Sequence, residues 1–207
     1  MEREAFLARL ASARPGPEQP DLTTLPAVHT ELRPGDELYA RFQHELEAVQ
    51  GTCERCAPDA AAAAVVAALG DARRVALADD LGPQLEPVRS ALAAAGIAAV
   101  SYAEAARDRE QLGALDATVT GCAVAVAATG SIVTTALAGR AAALIAPLHV
   151  CVLASDQLVG GLAEALRRLP PSSMAAFQSG PSRTADIEKK LILGMHGPGV
   201  THVIMTT

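Results

Sequence analysis

Residues 74–102, RVALADDLGPQLEPVRSALAAAGIAAVSY, decide the fold. Val75 to Ala78 is a short apolar run of strand length. Pro83 then stands at a first helical position ahead of Leu85, Val88, Leu92 and Ala95, which recur on one helical face and are closed by Gly96. Ile97 to Tyr102 is a second apolar run. Strand, helix and strand at this spacing form a βαβ unit, which implies parallel pairing and a right-handed crossover.

The same alternation continues toward the C-terminus. Ala143 to Leu153 supplies strand material, and Ser155-Asp156 can cap a helix carrying Leu158, Leu162, Leu166 and Leu169, stopped by Pro170-Pro171. Met174 to Gln178 and His202 to Met205 read as the last strands, with Ala185 to Leu193 as a helix between them. The predicted architecture is α/β, a mainly parallel sheet covered by helices.

Upstream, Glu2 to Ser12 reads as a helix that ends in a linker containing Pro15, Pro17, Pro20 and Pro26. Pro34-Gly35-Asp36 opens a second helix with Leu38, Phe42, Leu46 and Val49 on one face and Gly51 at its end. Pro58 to Leu69 is alanine-rich and helical by propensity. Residues 1–73 are thus expected to be an N-terminal helical extension and linker packing on a core of residues 74–207, one domain overall.

Half of the residues are hydrophobic but only 2% are aromatic, so the core must be built from Ala, Val, Leu and Ile. The formal charge of -6 leaves no electrostatic footprint for a polyphosphate backbone, which excludes nucleic acid as an expected partner. The N-terminus carries scattered charges and lacks the apolar stretch of a signal peptide, so a cytoplasmic location is expected. Residues 117–139 carry no charge, yet five Thr, one Ser and three Gly among them fit buried strands and turns better than a membrane span.

Four cysteines do not make a disulfide scaffold. Cys53 and Cys56 have the spacing of half a zinc site, but Cys122 and Cys151 lie far away, separated by 28 residues, with no His beside them at ligand spacing. No metal and no cofactor is expected; iron–sulfur spacing and Gly-rich nucleotide fingerprints are both missing.

Three segments could carry chemistry. In Gly180-Pro181-Ser182-Arg183-Thr184-Ala185-Asp186-Ile187-Glu188, a strand is expected to pass into a helix whose N-terminus would hold an anion, with Ser182, Thr184 and the Arg183 guanidinium as further donors. The plainer alternative is an N-cap at Ser182 or Thr184 and an Asp186–Lys190 pair. His196, in Gly194-Met195-His196-Gly197-Pro198, could bind or transfer a proton beside that anion or simply cap the helix. Thr129-Gly130-Ser131 forms a turn at a strand end, where open α/β sheets bind ligands, and Thr129 and Ser131 could donate to a ligand oxygen or equally satisfy the turn's own backbone. His149 sits in a strand-like run and reads as a buried, hydrogen-bonded histidine.

Thr120-Gly121, Ala128 to Ser131, Pro147-Leu148-His149-Val150, GPSRTADIE at 180–188 and HGP at 196–198 together resemble the lactate-utilization protein C family of LUD-domain proteins. The resemblance implies the fold of the ribose-phosphate isomerases, CoA transferases and methenyltetrahydrofolate synthetases. It also implies a non-redox subunit of a system that oxidises L-lactate to pyruvate, whose other proteins carry the iron–sulfur clusters. On that basis the expected partners are iron–sulfur lactate-utilization proteins and a small anion, a carboxylate or phosphate. Its expected ligands are Thr129, Gly130, Ser131, Gly180, Ser182, Arg183, Thr184 and His196. The alternative is an independent enzyme acting on a phosphorylated or CoA-linked metabolite. The family usually has an acidic residue just before the Thr-Gly turn, and Ala128 in that place weakens any covalent mechanism carried over from the CoA transferases.

Overall fold

The computed structural model describes residues 3–13, 37–139, 141–185 and 191–207. The proline-rich linker and the anticipated Asp186–Lys190 pair lie outside the described residues. The helices are α1 (Arg3–Ala13), α2 (Leu38–Ala48), α3 (Ala61–Leu69), α4 (Leu85–Ala94), the short α5 (Tyr102–Ala105) and α6 (Arg109–Gly113), and α7 (Leu162–Arg168). The strands are β1 (Thr52–Cys56), β2 (Arg74–Leu77), β3 (Ala98–Ser101), β4 (Ala117–Thr120), β5 (Val124–Val126), β6 (Ser131–Thr135), β7 (Leu148–Ala154), β8 (Leu158–Val159), β9 (Ala175–Gln178), β10 (Arg183–Ala185), β11 (Leu191–Leu193) and β12 (Val200–Thr206).

Six strands form one sheet in the order β1-β12-β7-β4-β2-β3, with every neighbouring pair parallel. The βαβ unit read at residues 74–102 is present as β2, α4 and β3, and Val88 and Leu92 are the buried face of α4. Alternate residues of the central strands serve opposite faces. Val75, Leu77, Val119, Val150, Val152 and Ile204 pack with Val65, Leu69, Val88 and Leu92 of α3 and α4. Cys151, Leu153, Val203 and Met205 pack with Phe42 and Leu46 of α2 on the other side. That second side is also covered by a four-stranded sheet, β8-β5-β6-β9, in which β5, β6 and β9 are antiparallel neighbours. A parallel sheet needs cover on both faces, and here helices supply one cover and a helix plus a second sheet the other.

Three expectations are corrected. The helix expected over Ala185–Leu193 is absent at both described ends, because Arg183–Ala185 and Leu191–Leu193 pair as an antiparallel hairpin. The Gly194 N–H donates to the Ser182 carbonyl (2.9 Å) and closes that pair, so the backbone partners lie across strands. The helix expected from Ser155 is divided: Ser155–Gln157 is a single turn, Leu158 is buried in β8 against Ala125, and α7 begins only after Gly160-Gly161. Finally, the Cys53–Cys56 segment is a strand. Its sequence, TCERC, has no apolar run, but it lies at the sheet edge, where charged side chains such as Glu54 and Arg55 are exposed.

The contact between α2 and the second sheet depends on Gly130, which has φ 56° and ψ 33°. A Cβ there would come within 2.3 Å of the Leu46 backbone nitrogen. Gly130→Val is therefore expected to lose at least about 3 kcal/mol of unfolding free energy, combining left-handed strain with a backbone clash. Gly70, with φ 54° and no atom within 4 Å of its added Cβ, is the control. Gly70→Ala, at φ 54° and ψ -117°, should cost less, about 1–3 kcal/mol, from backbone strain alone. Urea unfolding of both variants checks the contrast.

Candidate functional site

In an open parallel sheet the chain direction reverses between two neighbouring strands, and the loops leaving their carboxyl ends part to form a crevice. Here that point lies between β2, which leads outward to β3, and β4, which leads inward to β7. The loop after β2 begins Ala78-Asp79-Asp80, and the loop after β4 begins Gly121-Cys122. Asp80 is half-buried and accepts a hydrogen bond from the Gly121 N–H at 2.8 Å. A Cβ on Gly121 would come within 2.1 Å of the Asp80 carbonyl oxygen, so this approach requires glycine.

A cavity of about 320 Å³ opens beside this contact, with Asp80, Gln84, Cys122, Asp156, Gln157 and Thr206 among its lining residues. Several of these polar groups already have partners. Gln157 Oε1 accepts from the Ala154 N–H (2.7 Å), its Nε2 donates to the Cys122 carbonyl, and the Thr206 hydroxyl donates to Leu153 O (3.4 Å). Burial raises the Asp80 carboxyl from 3.8 to about 6; backbone N–H donors, Gly121 foremost, oppose that rise and the Asp79 charge adds to it. A carboxyl that changes charge near neutral pH inside a crevice is a group fit to move a proton.

The residues singled out from the sequence lie at the other edge of the main sheet. Chain direction explains this. β5 and β9 run back across the sheet, so the Thr129-Gly130-Ser131 turn and Ser179-Gly180 reach the end of α2, just before β1 begins. Gly130 lies against Leu46 and Gly180 against Val49. Thr129 Oγ1 and Ser131 Oγ are 2.6 Å apart, and Ser131 Oγ and Ser179 Oγ are also 2.6 Å apart, forming a row of three hydroxyls. Ser182 forms a second group with the loop that contains His196: its N–H donates to Pro198 O (2.8 Å), and Gly197 packs on its Cβ. The Gly199 N–H donates to Pro147 O, which fixes this loop at the amino ends of β7 and β12.

Arg183 is exposed and Thr184 half-buried on the first hairpin arm, so neither stands at a helix start. The dipole argument for an anion at Arg183 is thereby removed. His196 is exposed in a groove of about 640 Å³ that is also lined by Leu144, Ile145, Leu193, Met195 and Val200.

The cysteine pair is resolved by strand geometry. Residues three apart on a strand face opposite ways, and Cys53 packs with the α2 cluster while Cys56 packs with the α3 cluster. The two thiols cannot share one ion. His149 is fully buried, as the sequence suggested, and burial lowers its pKa to about 4, with Gln178 opposing the shift. Asp80 was missed, although the strand-end rule applied to β2 would have found it. Two acidic residues follow Ala78 directly.

The raised Asp80 pKa has a definite consequence for stability. The folded chain holds this proton more tightly than the unfolded chain, so ionisation opposes folding. The cost is absent below about pH 4 and complete above about pH 6. Asp80→Asn retains an acceptor for Gly121 and cannot ionise. At about pH 8 it should be more stable than the parent by about 1–3 kcal/mol, with the gain disappearing toward about pH 4. Thermal unfolding of both proteins across that range checks the sign.

The LUD domain family model matches residues 39–206. "Lactate utilization protein C" of Deinococcus radiodurans is 37% identical over 102 residues, covering 46% of this chain and 48% of that protein. The protein of the same name from Oceanobacillus iheyensis is 32% identical over 77 residues, covering 32% and 33%. The chain thus spans less than half the length of these curated relatives. A crystal structure of a DUF162 family protein from Deinococcus radiodurans superposes with a TM-score of 0.64 at 23% identity, covering 82% of this chain and 96% of that one, and it shares the fold. With its described helices, parallel sheet and matched span, the chain belongs to the LUD domain family.

Proposed function

We propose that this chain serves lactate utilization as a non-redox component that docks on iron–sulfur partner proteins through the amino edge of its main sheet. The observation that carries this reading is the groove beside His196. Leu144, Ile145, Leu193, Met195 and Val200 are all exposed and line a single depression. A contiguous exposed apolar patch of this kind marks an interaction surface more often than a metabolite site. Ser182, Arg183 and Thr184 adjoin it on the hairpin and offer donors to a carboxylate or phosphate at the same edge. The names of the curated relatives support the assignment to lactate use.

The second reading, an enzyme acting on a phosphorylated or CoA-linked metabolite, has Asp80 and its cavity in its favour. Electrostatics oppose that ligand class there. The cavity is lined by Asp80 and Asp156 and, among the described residues, by no Lys or Arg. A polyphosphate would meet two carboxylates without a countercharge.

Leu193→Asp and Met195→Asp test the docking surface. Both residues are exposed, so each variant should unfold within about 0.5 kcal/mol of the parent. The parent should retain iron–sulfur proteins in a pulldown from lactate-grown cells, and either variant should lose most of that capture. Equal capture by the variants would place the interface elsewhere, and a parent that retains no cluster-bearing protein would contradict the reading.

A further inference from the structure

A second depression opens at the carboxyl edge of the main sheet, on the β3 side of β2. β2 and β3 are parallel neighbours whose last paired residues are Leu77 and Ser101, so Asp79 and Tyr102 leave adjacent strand ends. Between them and the turn at residues 136–141 lies a pocket of about 470 Å³. Ala103, Ala106, Leu112 and Leu137 are among its walls, and Asp79 is the one charged side chain among the described lining residues. Small-molecule sites have volumes of ~300–1,000 Å³ and are mostly apolar, with a few polar groups that fix orientation.

The pocket has a fixed wall. Tyr102 is only 6% exposed, and its hydroxyl accepts a hydrogen bond from the Ala141 N–H at 3.2 Å. Gly139, at φ 100°, approaches the same ring so closely that a Cβ there would come within 2.1 Å of Tyr102 Cε1. The turn is thereby pinned at both the ring and the hydroxyl. Burial pushes the Tyr102 phenol up, with the Ala141 donor opposing, so the hydroxyl keeps its proton at neutral pH. That proton is a donor, because the Ala141 N–H already uses the oxygen as an acceptor. Asp79 is exposed, and its carboxylate only accepts. One donor and one anionic acceptor on aliphatic walls are the complement of a short aliphatic chain that carries an ammonium and an oxygen.

We propose that this pocket binds a small aliphatic amino alcohol, with its hydrocarbon body on Leu112 and the alanines, its ammonium at Asp79 and its oxygen on the Tyr102 hydroxyl, and that the occupant acts on the neighbouring Asp80 crevice. The link is the Asp79-Asp80 dipeptide, of which Asp79 lines this pocket and Asp80 the other. The Asp79 charge makes Asp80 hold its proton more tightly, as a like charge does. An ammonium that neutralises Asp79 loosens that hold, so the Asp80 midpoint falls. By reciprocity the amine binds more tightly once Asp80 is ionised. The other titratable groups around Asp80 are Asp156 across its cavity and the thiols of Cys122 and Cys151, and none of them lines this pocket. The site is independent of the docking groove, which lies at the amino edge.

Amide NMR of the full chain, titrated separately with aminopentanol, pentanol and pentylammonium, reads the site. Aminopentanol should give saturable shifts at Tyr102, Leu112 and Leu137 and bind ~2–5-fold more tightly than pentanol, the margin of one exposed ion pair. Pentylammonium, which lacks the oxygen, should bind ~2–10-fold less tightly than aminopentanol. Asp79→Asn, a change at an exposed position, should erase the advantage over pentanol. With the pocket saturated, the Asp80 midpoint, followed by carbon-13 NMR, should fall by ~0.3 of a pH unit, and aminopentanol should gain ~2-fold in affinity between about pH 5 and pH 8. No saturable shift at Tyr102 and Leu112, shifts confined to Gln84, Gln157 and Thr206, or a preference for the amine that survives Asp79→Asn would overturn the proposal. An Asp80 midpoint unmoved by a saturated pocket would overturn the link between the two sites.

Discussion

The structure depends on a sheet whose central strands have no face in water. Every neighbouring pair in the main sheet is parallel, and β7 and β12 run seven residues each through its middle. Their alternate side chains therefore need two separate covers. α3 and α4 supply the first as a pure aliphatic layer. The second is mixed: Phe42 and Leu46 of α2 seal one part, and the four-stranded sheet covers the rest. The polar row of Thr118, His149 and Thr201 falls on this second side, where β9 brings Gln178 to meet it. An alanine-rich helix could not have satisfied such a row, whereas a facing strand can present a polar side chain at every second position.

This arrangement separates two kinds of site. The carboxyl edge has a small cavity with a half-buried carboxyl, a fixed peptide donor and no cation among its described lining residues. The amino edge has hydroxyls, an exposed arginine and a wide apolar groove. Crevices with perturbed acids suit small molecules, and exposed apolar grooves suit other proteins. The hydrogen bonds from His149 to Gly121, and from Gln178 to Gly180, run through the interior between these edges.

Much of this was legible in the sequence, for identifiable reasons. The βαβ unit at residues 74–102 was readable because Leu85, Val88 and Leu92 keep helical spacing between two apolar runs, and the buried face of α2 was readable from Phe42 and Leu46. The pairing of Arg183–Ala185 with Leu191–Leu193 was not, because cross-strand pairing is non-local and Arg183–Ala185 has no apolar alternation of its own. The edge strand β1 escaped for the same reason, as its charged residues face water. The placement of Thr129 to Ser131 misled because a Gly turn after a strand says nothing about which way that strand runs. In a second sheet running back across the first, the turn arrives at the amino edge. Asp80 required only that the loop after β2 be weighed as a strand end.

The division of the two edges is the central claim, and hydrogen–deuterium exchange of the chain, alone and mixed with the iron–sulfur fraction from lactate-grown cells, tests it most directly. The account predicts that the fraction slows exchange across Leu193 to Val200 and leaves Asp79 to Gln84 and Gly121 unchanged or altered only slightly. Protection centred on Asp79 to Gln84, with Leu193 to Val200 exchanging as before, would contradict it.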